Sequence, residues 1–217
     1  VDVGAYNRAA VEKIVIHVGC VITYEDELMI FNKKYYTGRA LDNRMGGFMI
    51  AEVARLLKES KTKLPFGLYI CNSVQEEVGL RGAEMIVRKI NPNIAIVTDV
   101  CHDTTTPMID KKEHGEFKCG KGPVVTYAPA VHGIIRELIL EVAEKEKIAI
   151  QRDAASRVTG TDTDAFAYNG GGVPSALISL PLKYMHTTVE TVAKSDVEDV
   201  IKLIFETLKK ALVFCFL

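Results

Sequence analysis

The sequence predicts an α/β fold in which a mixed, mostly parallel sheet is flanked by helices. From Gly38 onwards, short apolar runs rich in strand-favouring residues alternate with longer segments of helical periodicity, and this alternation is typical of α/β architecture. The 217 residues are 48% hydrophobic and 25% charged, which is enough to bury a sizeable core in one domain.

Residues 1–37 have a different character, because they carry short β-rich pieces and only one short helical stretch, at 8–13. The pieces predicted as strands are 1–3, 14–16, 21–23 and 28–31. So few residues cannot hold a core alone. We therefore expect residues 1–37 to be part of a small β subdomain at the N-terminus and residues 38–217 to form the main domain.

The main domain contains four predicted helices and four predicted strands. Helical periodicity is clear over 42–60, where Met45, Met49 and Val53 share one apolar face. The last helix opens at a capping box that begins with Ser195 and closes with Glu198. The predicted helices are 42–60, 83–90, 134–147 and 195–214, and the predicted strands are the apolar runs 66–71, 94–100, 123–127 and 174–180.

Charge and composition argue against several partners. Lys and Arg number 27 against 28 Asp and Glu, so the net charge of −1 provides no basic field for nucleic acid or an anionic membrane. The longest apolar tail, 211–217, is too short to span a bilayer, and no signal pattern opens the chain. Five cysteines without C-x-x-C spacing favour reduced thiols. We therefore expect a cytoplasmic protein.

Two adjacent carboxylates, Glu76 and Glu77, follow the predicted strand 66–71 and precede a turn at Gly79. In open α/β sheets, ligands bind beyond the carboxyl ends of the strands. Two solvated carboxylates at the mouth of a loop would give the same dipeptide, so the pair alone does not indicate a site.

Three further residues of metal-binding type lie at predicted element ends. Asp42 opens a helix, where an ordinary N-cap is the alternative. Asp99 ends a strand, where an Asx turn is the alternative, and His186 follows the last strand, where a hydrogen-bonded surface histidine is common. Taken together with the glutamate pair, this mixture of carboxylates and imidazole is what zinc and similar metals bind.

Five ordered motifs strengthen this interpretation. They are GRALDNR at 38–44, QEEVGLRGA at 75–83, VTD at 97–99, GTD at 160–162 and YMHT at 184–187. In order and spacing, over nearly the whole chain, they resemble the dinuclear metal aminopeptidases typified by glutamyl aminopeptidase and the TET peptidases, a family in which some members are labelled endoglucanase.

The resemblance implies a role for each candidate residue. Asp42 would bridge two divalent ions, Glu77 and His186 would complete the ligands of one ion, and Asp99 would bind the other. Glu76 would be the general base. The metal would be zinc, cobalt or manganese, the substrates would be peptides, and the chain would form homo-oligomers through the β subdomain. GTD at 160–162 resembles a loop beside the substrate, without a role that spacing can fix.

One departure from the family pattern is the absence of a His-x-Asp motif, which would lie upstream of the β subdomain and supply a further metal ligand. None of the remaining histidines, His17, His102, His114 and His132, has that context. We expect the ligand to belong to a missing N-terminal part. One ion then keeps three protein ligands, and the second ion keeps only two. We therefore expect the chain alone to bind at most one ion well and to have little activity.

Two alternatives stay open at this point. A related dinuclear hydrolase, such as a carboxypeptidase, a deacylase or an endoglucanase, would use the same residues on another substrate. Sugar hydrolysis is the weaker version, because the paired carboxylates of glycosidases are not evident. The second alternative is an inactive, truncated catalytic-domain fragment.

Overall fold

A computed structural model describes residues 1–25 and 27–211. Their seven strands form one sheet: β1 (Met29–Phe31), β2 (Tyr35–Gly38), β3 (Ala95–His102), β4 (Val124–Tyr127), β5 (Gln151–Ala154), β6 (Ser175–Lys183) and β7 (Glu190–Ala193). The helices are α1 (Arg8–Lys13), α2 (Leu41–Glu59), α3 (Arg81–Ile90), α4 (Lys111–His114), α5 (Gly133–Glu146), α6 (Asp162–Tyr168) and α7 (Lys194–Lys210).

Strand β6 organises the sheet. It pairs with β3 in parallel from Ser175 to Leu182, and with β4 and β7 in antiparallel orientation. Strand β4 continues to β5 in parallel, while β7 continues to β2 and β1 in antiparallel orientation. The predicted mixed sheet flanked by helices is confirmed, with β3–β6 as the longest parallel ladder. The prediction that the sheet is mostly parallel is wrong, since four of the six described pairs are antiparallel. Short connections such as the one from β6 to β7 can join only antiparallel strands.

The core lies between β6 and the helices α2, α5 and α7. Eight of the nine residues of β6 are buried, which explains the continuous apolar run that predicted this strand. Ile178, Leu180 and Leu182 of β6 pack in one cluster with Met49 of α2 and Leu203 of α7. Burial of each such side chain stabilises the fold by about 1.5–3 kcal/mol. This packing fixes the start of α2 relative to the end of β6.

The predicted strand 66–71 is wrong. The segment belongs to no strand, and Leu68, Tyr69 and Ile70 are 37%, 67% and 43% exposed. A ladder needs a neighbouring strand, and among the described residues β3 pairs only with β6. Glu76 and Glu77 therefore follow an irregular segment instead of a strand end.

The N-terminal predictions are only partly correct. Helix α1 is confirmed, and 28–31 contains β1, but 1–3, 14–16 and 21–23 form no strands and are largely exposed. The reason is again pairing, since β-rich composition supplies no hydrogen-bonding neighbour. The short strands β2 and β7 were not predicted, and their pairing connects residues 35–38 to the main sheet. The division at residues 37 and 38 stays a prediction.

Several helices and strands begin or end at other residues than predicted. Helix α2 has Ala40 at its N-cap, so Asp42 is not the cap, and β3 continues past Asp99 to His102. Helix α7 starts at Lys194 with no side-chain cap, so the capping box at Ser195 is wrong. The predicted end of this helix at residue 214 lies outside the described residues.

The other predicted helices and strands of the main domain are confirmed within a few residues. His186 follows β6, as predicted. No described helix is both long and apolar enough to cross a membrane.

Candidate metal centre

Three of the predicted site residues converge in space. The Nε2 atom of His186 lies 3.1 Å from Oδ2 of Asp42 and 3.3 Å from Oε2 of Glu77. One ligand atom from each residue lies within 4.8 Å of the other two. Two carboxylates and one imidazole at this separation suit zinc and related divalent ions. The donor set therefore fits a metal ion.

The backbone around these residues is unusual. Asp42 lies in the first turn of α2 but has non-helical dihedral angles, with φ −82° and ψ 104°. His186, in the loop between β6 and β7, has φ 61°, in the left-handed region that residues with a Cβ atom rarely adopt. Further non-glycine residues with positive φ flank the site: Ala40, Gln75, Leu80 and Tyr184. Such conformations cluster at functional sites.

Hydrogen bonds to the starts of two helices hold the loop that carries Glu76 and Glu77. The backbone N–H of Gly82 at the start of α3 donates to the carbonyl of Val74 at 2.9 Å. The hydroxyl of Ser73 donates to Oδ2 of Asp162, the first residue of α6. The position of the glutamate pair therefore depends on the N-terminal ends of two helices.

The carboxylates at the site lie close enough together to raise one another's pKa. Burial, and then the charge of Glu77, raise the pKa of Asp42 to about 6, although the imidazole of His186 opposes this rise. Burial, and then the charges of Glu77 and Asp162, raise the pKa of Glu76 to about 7. Negative groups that repel one another in this way favour a bound cation.

Asp99 lies beside the three-residue cluster but is not part of it. Its Oδ1 accepts hydrogen bonds from Nδ2 of Asn43 at 3.1 Å and from the backbone N–H of Val100 at 2.8 Å. Burial is the main cause that raises the pKa of Asp99 to about 8; the Val100 bond opposes it, and the charge of Asp42 adds to it. The structure thus brings together Asp42, Glu77 and His186. Glu76 and Asp99 lie near enough for the charge of Asp42 to raise their pKa values.

Two residues near the site were missed or left without a role by sequence reasoning. Glu190 is buried and accepts hydrogen bonds from the backbone N–H groups of Asp42 and His186. No sequence signal could have found it, because its partners are backbone groups, one of them 148 positions away. Asp162 lies in the GTD motif, and its contact with Ser73 now gives that motif a position beside the glutamate loop.

A cleft of about 680 Å³ opens next to the cluster. Asp42, Glu77 and His186 line it, together with Arg39 and Tyr24. A volume of this size can admit the end of a peptide or another small molecule.

A helix-flanked mixed sheet thus gathers two carboxylates and a histidine beside a cleft, and this arrangement is typical of proteins that bind a divalent metal. The sequence pattern of the M42 glutamyl aminopeptidase family matches residues 1–203, and the chain belongs to that family. Metal use is implied by this membership and agrees with the donor set.

The chain is also similar to individual aminopeptidases and solved structures. The chain is 34% identical over 203 residues to a lysyl aminopeptidase of Pyrococcus furiosus, a match that covers 94% of this chain and 57% of the relative. A TET aminopeptidase from the archaeon Thaumarchaeota SCGC AB-539-E09 superposes with a TM-score of 0.90 at 30% identity, over all of this chain and 62% of that structure.

The TET1 peptidase of Pyrococcus horikoshii, described as assembling into a tetrahedron or a large octahedral shell, superposes with a TM-score of 0.70 at 28% identity. That match covers 84% of this chain and 52% of that structure. The chain thus spans between half and two thirds of the length of these three proteins.

Proposed function

We propose that this chain carries the catalytic residues of a metal-dependent aminopeptidase that removes N-terminal residues from peptides. The observation that carries the proposal is the convergence of Asp42, Glu77 and His186 beside a cleft, with Glu76 next to one of them in the chain. Membership of the M42 family and the similarity to a lysyl aminopeptidase support the substrate class.

Asp42, Glu77 and His186 would hold one divalent ion, and Asp42 and Asp99 would contribute to a second. Zinc, cobalt and manganese all suit these ligands. When bound, a divalent ion lowers the pKa of water and polarises the carbonyl of the scissile peptide bond. Among the described residues, Asp42 and Asp99 are the only candidates for the second ion, so we expect that ion to be bound weakly and turnover to be slow.

Glu76 is the proposed general base. Its carboxylate takes the proton from the attacking water and later delivers that proton to the leaving amine. In the metal-free chain, burial and the neighbouring carboxylates raise the pKa of Glu76 to about 7, and a raised pKa favours a carboxyl group that both takes and delivers a proton. The cleft next to the cluster holds the end of the peptide against these residues.

We also propose that residues 1–37 belong to a β subdomain through which copies of the protein associate. The TET1 peptidase, to which the chain is similar, is described as forming closed shells. The exposed apolar side chains of Ile22, Met29 and Phe31 in this region support an interface between copies. A cytoplasmic location stays a prediction.

The test is a panel of peptides with free and acetylated amino termini, offered beside a cellulosic substrate to the chain loaded with zinc, cobalt or manganese. We expect hydrolysis of the free peptides alone, and a decrease of about 10²- to 10⁴-fold in Glu76→Gln with metal content unchanged. The matched control is Glu113→Gln, an exposed glutamate on α4, which should leave turnover unchanged.

Equal hydrolysis of the acetylated peptides would contradict an aminopeptidase and favour a carboxypeptidase or deacylase. Cleavage of the cellulosic substrate would favour an endoglucanase. No turnover of any substrate by the metal-loaded chain would favour the inactive fragment.

A further inference from the structure

We propose that Glu190 is a positioning residue that sets the distance between the metal ligands Asp42 and His186. The inference rests on the proposed function, because it assumes that these two residues bind a metal. Glu190 lies outside the group of converging ligand atoms, so its contribution is to orient ligands and not to coordinate the ion.

Each carboxylate oxygen of Glu190 serves one ligand. Oε2 accepts the backbone N–H of Asp42 at 3.0 Å, across 148 positions of sequence. Oε1 accepts the backbone N–H of His186 at 2.7 Å. Glu190 is only 2% exposed, so water does not compete for these hydrogen bonds. One buried side chain thus connects the first turn of α2 to the loop after β6.

Both N–H groups need this acceptor. The first N–H groups of a helix have no partner within the helix, and Ala40 at the N-cap of α2 offers no side-chain acceptor to Asp42. His186 has φ 61°, which is unfavourable for a residue with a Cβ atom. Its bond to Glu190 stabilises this conformation, in which the imidazole lies against Asp42 and Glu77.

The carboxylate is better suited to this role than an amide. A carboxylate has two oxygens that can each accept a hydrogen bond, and both oxygens of Glu190 do so. In Glu190→Gln, the amide group would face a backbone N–H, and two donors cannot bond. Either Asp42 or His186 would then lose its anchor while the side-chain volume stays nearly the same.

A purely structural role for Glu190 is the competing explanation, and the chain offers a matched control. Asp196 is also a buried carboxylate whose two oxygens accept backbone N–H groups, those of Gly120 at 2.6 Å and Gly122 at 2.9 Å. None of these three residues belongs to the metal centre. Asp196→Asn therefore imposes the same chemical change at a site that touches no ligand.

The experiment measures zinc affinity by competition with a chromophoric chelator, the visible absorption spectrum of the Co²⁺-loaded chain, and the melting temperature of the metal-free chain. We expect Glu190→Gln to weaken zinc binding by about 10- to 100-fold and to change the Co²⁺ spectrum. Asp196→Asn should lower the melting temperature while zinc affinity and spectrum stay those of the wild type.

Wild-type affinity and spectrum in Glu190→Gln would overturn the proposal, as would an equal loss of affinity in Asp196→Asn. If Glu190→Gln does not fold, Glu190→Asp takes its place, because it keeps the charge but is too short to reach both N–H groups, and it should weaken zinc binding. If the wild-type chain binds no zinc, the proposed metal centre itself is overturned. If the wild type binds zinc and Glu190→Gln binds it equally well, only the positioning role of Glu190 is overturned.

Discussion

The imidazole Nε2 of His186 lies 3.1 Å from Oδ2 of Asp42, although one residue follows β6 and the other lies in the first turn of α2. The contact joins two groups that would both bind the same metal ion. It exists because α2 and α7 pack on β6 and because Glu190 anchors the backbone of both residues.

Zinc affinity should rise with pH. Burial and the charge of Glu77 raise the pKa of Asp42 to about 6, so at lower pH this carboxyl holds a proton that zinc must displace. Affinity should therefore decrease as pH falls through about 6, and zinc binding should release protons. Titration in buffers of different ionisation enthalpy measures both quantities.

The control for this experiment is Asp153→Asn, which removes a carboxyl on β5 whose pKa burial also raises, away from the cluster. It should leave the pH dependence of zinc affinity unchanged. Affinity that is the same on both sides of pH 6 would contradict the assignment of Asp42 as a ligand.

Gly82→Ala should displace the loop that carries the glutamate pair. A Cβ atom at residue 82 would lie 2.4 Å from the backbone N and 2.5 Å from the carbonyl oxygen of Val74, so the loop must move. We expect a loss of about 1–3 kcal/mol in the free energy of unfolding and a weaker zinc site. Denaturant unfolding and zinc titration measure the two effects.

Gly133→Ala is the matched substitution, because a Cβ atom there meets only the flexible end of Arg136 at 3.9 Å. It should leave zinc affinity unchanged and should not lower stability, because alanine is more favourable than glycine in a helix. A Gly82→Ala chain with an intact zinc site would show that the contact with Val74 does not position Glu77.

Ser73→Ala should uncouple the glutamate loop from α6. The hydroxyl of Ser73 donates to Asp162, whose other oxygen is buried without a hydrogen bond among the described residues. Loss of the donor should cost about 1–3 kcal/mol of stability and lower turnover through Glu76. Ser60→Ala, at the exposed end of α2, is the control, and turnover equal in both variants would refute the coupling.

Sequence patterns predicted the core well, because strong periodicity reflects burial. The helical face of α2 and the apolar run of β6 were both identified from spacing, and both lie in the main core cluster. The run 66–71 has the same composition as a buried strand, but composition cannot show whether a neighbouring strand exists. For the same reason the polar strand β7 was missed, since its place depends on pairing with β2 and β6.

The candidate site was predictable to a similar extent. Motif order indicated Asp42, Glu77 and His186, which the structure brings together. It could not indicate that Asn43 would donate a hydrogen bond to Asp99, nor that Glu190 would be buried between the backbones of Asp42 and His186. Such features depend on tertiary contacts with backbone groups, which leave no pattern in the sequence.

The most direct test of the central claim, that Asp42, Glu77 and His186 form a metal centre, is a zinc titration of the chain and of His186→Ala, with the exposed His132→Ala as control. We predict one tightly bound ion per chain in the wild type and in His132→Ala, and none in His186→Ala. Tight binding that survives in His186→Ala, or two tight ions in the wild type, would contradict this account of the site.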